Sequence, residues 1–165
     1  MIANPTAGRG RTGRGLPDLL TAVRGALGEV DVAETRRRGD ATKSAVAAVR
    51  EGRPLVVGLG GDGTLDEIVN GLMASEGRRH GQDAAVLPAL GVVGTGTGGD
   101  FGRSLGIEHE LGAYLAALKG GGERTVDVGW ASFQALDGRP VERHWINVLS
   151  AGLGGLVDRY TAAAP

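Results

Sequence analysis

Segments with the hydrophobic pattern of a strand alternate along this chain with segments that have the hydrophobic pattern of a helix. Short apolar runs rich in β-branched residues are typical of buried strands, and apolar positions at helical spacing indicate helices. The predicted strands span residues 1–3, 30–34, 54–58 and 87–93, and the predicted helices span residues 16–27, 40–49, 65–73 and 107–118. Strands that alternate with helices predict an α/β domain with a parallel sheet covered on both faces.

The pattern changes after residue 122. Strands are predicted over residues 125–129, 130–136 and 143–149, without helices between them, and Asp137-Gly138 is typical of a hairpin turn. We therefore divide the chain into an α/β domain over residues 1–122 and the first strands of an antiparallel β domain over residues 123–165. About 40 residues are too few to close two packed sheets, so we expect a truncated β domain.

Composition and hydropathy add four constraints. Glycine accounts for 31 of the 165 residues but proline for only 6, and 41% of the residues are hydrophobic, which favours a compact domain with many tight turns. The net charge of −1 gives no reason to expect nucleic-acid binding. Without cysteine, disulfides and thiolate metal sites are excluded. No stretch is long and apolar enough to span a bilayer, so we expect a cytoplasmic protein.

Two glycine-rich turns carry the candidate chemistry. The first is GGDGT at residues 60–64 and the second is GTGTGGDF at residues 94–101, and each follows a predicted buried strand. Glycines allow backbone N–H groups to close around phosphate oxygens. An acidic residue in such a turn would repel phosphate unless Mg²⁺ lies between them. The two turns therefore predict a metal-assisted nucleotide site and phosphoryl transfer.

Other nucleotide motifs fit less well. Residues 58–63 and 94–99 each match G-x-G-x-x-G, but such matches arise easily in a glycine-rich chain. Neither match lies in the first strand–helix unit, and the acid required about 20 residues after the first match would be Asp83, in a loop-like segment. Gly8 and Gly13 have Walker A spacing, but Arg14-Gly15 follows where Lys-Ser/Thr is required.

Six ordered segments resemble one family, the diacylglycerol kinase catalytic domain of bacterial lipid kinases and sphingosine kinases. The segments are NPTAG at residues 4–8, ET and GDA at residues 34–35 and 39–41, GGDGTLDEIVNGL at residues 60–72, GTGTGGDFGRSLGI at residues 94–107, VDVG at residues 126–129 and residues 144–154. The resemblance implies a nucleotide-binding domain followed by a β-sandwich domain, with ATP and Mg²⁺ in the cleft between them.

The resemblance also implies a function, namely transfer of the γ-phosphoryl group of ATP to a lipid hydroxyl such as that of diacylglycerol. It implies a lipid substrate at a membrane surface, with peripheral contact at the inner face, and a homodimer is a further possibility. Two alternatives remain open: an NAD kinase-like enzyme, which shares GGDGT, and a non-catalytic nucleotide-binding module. We expect the 165-residue chain alone to be inactive and to self-associate.

Each site residue has a predicted role. Backbone amides of the two turns would approach the phosphates, Thr64 would donate its hydroxyl, and Asp62 would hold Mg²⁺ through water. Asp62 and Asp100 are the predicted catalytic residues, with Asp100 facing the metal or the acceptor hydroxyl. The predicted nucleotide-binding residues are Asn4, Thr35, Gly60, Gly61, Gly63, Thr64, Glu67, Gly96 and Thr97. The structural alternatives are plain turns for the glycines, helix caps for Asp62, Thr64 and Asp100, and an exposed helix position for Glu67.

Three positions depart from the family pattern. Gly94 replaces a proline, Gly99 replaces an asparagine and Gly102 replaces an alanine. If Gly99 only loosens its turn, Gly99→Asn should tighten nucleotide binding; if binding falls instead, the glycine is adapted to its own backbone conformation. The general base that the family carries in a DGE motif would lie beyond residue 165.

Overall fold

Four parallel strands form the central sheet of the molecule. The computed structural model describes residues 1–74, 87–135 and 137–149, and all statements below concern these residues. The strands are β1 (Ile2–Ala3), β2 (Ala33–Glu34), β3 (Leu55–Gly60) and β4 (Ala89–Gly94), in the spatial order β2-β1-β3-β4. Ile2 pairs with Ala33 on one side and with Gly58 on the other. The predicted α/β class is confirmed.

Six helices accompany the strands in the described residues: α1 (Arg11–Arg14), α2 (Leu16–Leu27), α3 (Asp40–Arg50), α4 (Asp62–Ala74), α5 (Asp100–Ser104) and α6 (Leu111–Gly120). The bounds of α2 agree with the prediction, because Pro17 suits a first turn and Gly28, at φ 83°, ends the helix. Successive residues of β3 point to opposite faces, so Val56 joins a core cluster with α3 and α4 whereas Leu59 joins one with α2 and α6. The sheet is thus covered on both faces, as expected.

Two helix boundaries differ from the predictions. The helix α4 begins at Asp62, inside the GGDGT motif, rather than at residue 65. Because Gly61 accepts hydrogen bonds from Thr64 and Leu65, the glycine-rich turn itself forms the start of the helix. The helix α6 begins at Leu111 rather than at residue 107, because the N–H groups of residues 105–107 instead close the short helix α5.

A separate two-stranded antiparallel sheet consists of β5 (Gly129–Gln134) and β6 (Pro140–Trp145). The hairpin predicted at Asp137-Gly138 is confirmed, and Gly138 has a φ of 79°. The strand predicted over residues 125–129 is wrong, since only Gly129 is in a strand. The strand predicted over residues 143–149 ends at Trp145, before Asn147 takes a φ of 74°. Residue 136, Asp83 and the segment after residue 149 lie outside the described residues.

The strand arrangement brings three loops together. Parallel strands present their carboxyl ends at one edge of a sheet, and open α/β sheets bind ligands at this edge. The segment after β1 begins at Asn4, the first glycine turn follows β3, and the second follows β4. Since β1, β3 and β4 are adjacent, these three loops meet at one edge.

Candidate nucleotide-binding site

The two glycine turns contact each other through their backbones. The Thr95 N–H donates to the Gly60 carbonyl at 2.8 Å. A Cβ placed on Gly96 would lie 2.7 Å from the Gly61 Cα, closer than side-chain and backbone carbons approach. Glycine at position 96 is therefore required for the contact, and the two turns form one continuous surface.

Asp62 connects the turns through its side chain. Its carboxylate accepts the backbone N–H groups of Gly99 at 3.1 Å, Asp100 at 3.3 Å and Phe101 at 3.1 Å. These N–H groups lie at the N-terminus of α5, so the Asp62 side chain caps α5. It does not cap α4, the helix in which Asp62 lies, so the cap predicted for that helix is wrong. A carboxylate has about four acceptor positions and the described residues occupy three of them, which leaves one for a water molecule on a bound cation.

Asn4 holds the hydroxyl of Thr64. The Asn4 side-chain amide donates to Thr64 Oγ1 at 3.0 Å, and Asn4 Oδ1 accepts both the N–H and the hydroxyl of Thr6. The Thr64 oxygen acts as an acceptor in this bond, which leaves its hydrogen available for a ligand. Thr64 is only 5% exposed and is the third residue of α4, so it is not the N-cap considered in the sequence analysis.

Gly63 and Thr97 face open space beside this surface. Both are exposed, and a Cβ placed on Gly63 would meet no atom of the described residues within 4 Å. The packing of the protein therefore does not explain the glycine at position 63. The cleft has a volume of about 430 Å³ and is lined by Asn4, Ala7, Gly8, Gly61, Asp62, Gly63, Thr64, Gly96, Thr97 and Gly98.

A second compartment of about 240 Å³ adjoins the cleft and shares Asn4, Gly63 and Thr64 with it. Thr35 lines it together with the three arginines of residues 36–38 and with Glu67. The Glu67 carboxylate accepts the Gly39 N–H at 2.9 Å, at the start of α3. Asp40 accepts the N–H groups of Arg36 and Arg37, and these hydrogen bonds, that of Arg36 most strongly, lower the pKa of its carboxyl.

A third cavity, of about 320 Å³, lies beside Asp62 and Asp100. Its other lining residues include Asp66 and the apolar side chains of Phe101, Ile146 and Val148. Asp100 is exposed and pairs with Arg103, whose guanidinium also donates to the Gly98 carbonyl. Asp66 pairs with Arg143 of β6. Within the described residues, no three His, Cys, Asp or Glu side chains are grouped closely enough to hold a metal ion by themselves.

The structure brings most of the predicted site residues together. The residues that line the cleft include Asn4, Gly61, Gly63, Thr64, Gly96 and Thr97. Gly60 does not line it but leaves room for the Thr64 side chain, since a Cβ on Gly60 would lie 2.5 Å from Thr64 Oγ1. Thr35 and Glu67 line the adjoining compartment instead, and Asp100 lies towards the third cavity. Asp100 is the first residue of α5, whereas the N-cap is Gly99, so the cap considered for Asp100 is wrong.

Sequence reasoning missed the residues that support the turns from behind. Thr12, which is 2% exposed, donates its hydroxyl to Thr95 Oγ1 at 2.8 Å. His109 and Tyr114 contact the second turn from the α6 side. No motif or spacing marks these residues; the only signal in the sequence is the unusual glycine content of the second turn.

Comparisons with known proteins define the class. Residues 1–131 match the sequence profile of the diacylglycerol kinase catalytic domain. Proteins named diacylglycerol kinase from two Staphylococcus aureus strains, bovine RF122 / ET3-1 and MRSA252, are each 34% identical over 152 residues, covering 92% of this chain and 42% of theirs. A crystal structure of a diacylglycerol kinase from Bacillus anthracis str. Sterne matches with a TM-score of 0.62 and 25% identity, over 88% of this chain and 44% of that one.

The chain therefore belongs to the diacylglycerol kinase catalytic domain family, as the sequence motifs predict. It spans less than half the length of the relatives it matches. In the described part of the chain, none of the helices has the length and hydropathy needed to cross a membrane.

Proposed function

We propose that this chain is the nucleotide-binding part of an ATP-dependent lipid kinase, which transfers the γ-phosphoryl group of ATP to a lipid hydroxyl such as that of diacylglycerol. Membership of the family supports this proposal. The single observation that carries it is the continuous surface of the two glycine turns. At this surface the Thr64 hydroxyl accepts from Asn4 and donates to none of the described residues, so it can donate to a ligand.

The phosphates are proposed to lie in the cleft between the turns. Exposed backbone at Gly63 and Thr97 allows phosphate oxygens to approach N–H groups, and the Thr64 hydroxyl adds a donor held in place by Asn4. The N-terminus of α4 points into the same cleft, which favours an anion. The nucleoside is proposed to occupy the adjoining compartment beside Thr35 and Glu67.

Mg²⁺ fits this site only as an ion held mainly by phosphate and water. The Asp62 carboxylate has one acceptor position left, and no cluster of further ligands stands near it in the described residues. Asp62 would therefore hold Mg²⁺ through water, and the ion supplies charge neutralisation for phosphoryl transfer. This limited role agrees with the sequence-based hypothesis.

The lipid acceptor is proposed to enter through the third cavity. Asp100 offers a carboxylate for the acceptor hydroxyl, and Phe101, Ile146 and Val148 provide apolar walls for the adjacent hydrocarbon. This cavity shares Asp62 and Gly63 with the glycine cleft, so donor and acceptor would meet at Asp62. The lipid would be reached from a membrane surface.

Two measurements test the proposal. Titration calorimetry should detect Mg·ATP binding to the wild-type protein. Gly61→Val should abolish this binding, because a side chain at position 61 would lie between the two turns that line the cleft, while circular dichroism should show an unchanged fold. A Cβ at position 61 would lie 3.4 Å from the Gly96 Cα, so the protein itself can accommodate it with a small shift. Unchanged affinity in folded Gly61→Val would contradict the phosphate assignment.

Because the 165-residue chain alone is expected to be inactive, the acceptor is tested in a protein that joins this chain to a complete β domain. The assay uses labelled ATP and vesicles that contain diacylglycerol, with NAD as the competing acceptor. Thr64→Val should reduce phosphoryl transfer at least tenfold, since one donor to the phosphates is lost. Thr64→Ser is the matched control, because it keeps the hydroxyl and should retain most of the rate. Phosphorylation of NAD in place of the lipid would support the NAD kinase-like alternative, and nucleotide binding without transfer to either would support a non-catalytic module.

A further inference from the structure

Two side chains from the α6 side of the molecule, His109 and Tyr114, lie directly against the second glycine turn. Their rings are 6.0 Å apart between centroids and nearly perpendicular, at 88°. His109 Nδ1 is 2.9 Å from the Tyr114 hydroxyl oxygen, and His109 Nε2 is 3.0 Å from the Gly96 carbonyl oxygen. The imidazole thus connects a fully buried phenol to the turn that faces the nucleotide cleft.

The direction of these two hydrogen bonds follows from their partners. The Gly96 carbonyl can only accept, so Nε2 carries the hydrogen and Nδ1 accepts from the Tyr114 hydroxyl. Burial, followed by the nearby Asp62 carboxylate, raises the pKa of Tyr114 above its usual value, so this hydroxyl keeps its proton. A neutral His109 therefore satisfies both bonds at once.

Three glycines leave the space that the two rings fill. A Cβ on Gly94 would lie 2.5 Å from the Tyr114 hydroxyl oxygen, and a Cβ on Gly102 would lie 2.6 Å from the same atom. A Cβ on Gly99 would overlap the His109 ring at Nδ1. These are the three positions at which the resemblance to the family pattern breaks, and a side chain at each of them would meet one of the two rings.

We infer that His109 and Tyr114 together fill the space that side chains at positions 94, 99 and 102 would need, and that His109 is a positioning residue that holds Gly96 and the second turn in place for the nucleotide phosphates. The inference rests on the proposed function for the nucleotide, but the packing of the two rings against these glycines does not. Gly96 in turn contacts Gly61, so displacement of the second turn also disturbs the first.

Substitutions at positions 99 and 109, made singly and together, test the inference. Gly99→Asn alone should weaken Mg·ATP binding and lower the melting temperature, because the new side chain meets the imidazole. The φ of 69° at this position does not by itself exclude asparagine, which tolerates left-handed backbone. In a His109→Ala background the ring is absent, so the same Gly99→Asn change should be neutral or should restore binding.

The matched control is Gly106→Asn. Gly106 has a similar φ of 76°, but within the part of the chain that the structure describes a Cβ there would meet no atom within 4 Å. Gly106→Asn therefore measures the cost of the backbone conformation without the collision, and we expect a smaller loss of melting temperature than for Gly99→Asn. If Gly99→Asn has the same effect with and without the His109 ring, or no larger effect than Gly106→Asn, the inference is wrong.

Smaller substitutions provide a second test if Gly99→Asn does not fold. His109→Ala should weaken Mg·ATP binding roughly three- to tenfold, the range expected for one lost hydrogen bond. His109→Gln should recover most of this loss, because an amide nitrogen can reach the Gly96 carbonyl in place of Nε2. Equal affinity in wild type, His109→Ala and His109→Gln would overturn the positioning role.

The two proposals fail in different ways. If wild-type protein does not bind Mg·ATP, the proposed function fails, whereas the melting temperatures of the single and double variants still show whether position 99 and the His109 ring are coupled. If wild type binds Mg·ATP and the two changes are additive in both affinity and melting temperature, only the inference about His109 fails.

Discussion

The three glycines of the GGDGT turn have different surroundings. Gly60 leaves room for the Thr64 side chain, and Gly61 leaves room for the backbone of Gly96. Gly63 alone among the three has open space beside it. A glycine that the protein does not need for its own packing is a candidate for contact with a ligand, and its replacement separates stability from binding.

We expect Gly63→Ala to change stability and binding in opposite directions. Gly63 is the second residue of α4, and alanine in a helix is more stable than glycine by about 0.5–1 kcal/mol. The added methyl group would lie in the cleft and should weaken Mg·ATP binding several-fold. Chemical denaturation and titration calorimetry measure the two effects.

Gly112→Ala is the control for this prediction. Gly112 is also the second residue of its helix, α6, and a Cβ there would likewise meet no described atom within 4 Å. Gly112→Ala should raise stability to a similar extent and leave nucleotide affinity unchanged. Equal affinity in Gly63→Ala, Gly112→Ala and wild type would show that phosphate does not approach position 63.

At the scale of elements, side chains of α4 cap other helices of the site. Asp62 caps α5, and Glu67 accepts the N–H of Gly39, the N-cap residue of α3. The segment of residues 36–38, which lines the second compartment, directly precedes this cap. The resemblance implies a role for Glu67 in nucleotide binding, and the structure shows its carboxylate hydrogen-bonded to the Gly39 N–H.

We expect Glu67 to act through its cap on α3 and not through its charge. Glu67→Ala removes the acceptor for the Gly39 N–H and should lower the free energy of unfolding by about 1 kcal/mol, with weaker nucleotide binding because residues 36–38 are displaced. Glu67→Gln keeps an acceptor oxygen and should remain close to wild type in both properties. Loss of affinity in a fully stable Glu67→Gln protein would indicate direct contact between the carboxylate and the nucleotide or its metal.

At the scale of the molecule, α4 also joins the parallel sheet to the β5–β6 hairpin. The Asn70 side-chain amide donates to the His144 carbonyl at 2.9 Å, and the His144 N–H donates to Asn70 Oδ1 at 2.9 Å. Arg143 pairs with Asp66 one turn earlier on α4. The helix that begins at the glycine turn therefore also fixes the strand next to the third cavity.

We expect Asn70→Asp to loosen the hairpin while the parallel sheet stays intact. A carboxylate cannot donate to the His144 carbonyl, so one of the two hydrogen bonds is lost and the other oxygen faces a carbonyl at close range. Hydrogen exchange should accelerate in β5 and β6 and remain slow in β3 and β4. Gln134→Glu adds the same charge to the hairpin at an exposed position of β5, and uniform protection in both variants would contradict the role of Asn70.

The sequence by itself determined the class of fold, the edge of the sheet that carries the site and most of the residues in the cleft. Strand and helix periods are local properties, and the β-branched runs that precede the two glycine turns place these turns at the carboxyl ends of strands. The helix α2 shows the same dependence on local signals, since Pro17 and Gly28 mark its ends in the sequence.

Only the tertiary structure decided what each side chain in the site contacts. Asp62 caps a helix 37 or more residues away, Thr64 accepts from Asn4 across 60 residues, and His109 meets a turn that no sequence spacing connects to it. Such contacts depend on which loops the strand order brings together, and a single sequence does not specify this order locally. For the same reason, the glycines at positions 94, 99 and 102 looked like losses in the sequence, whereas in the fold they make room for His109 and Tyr114.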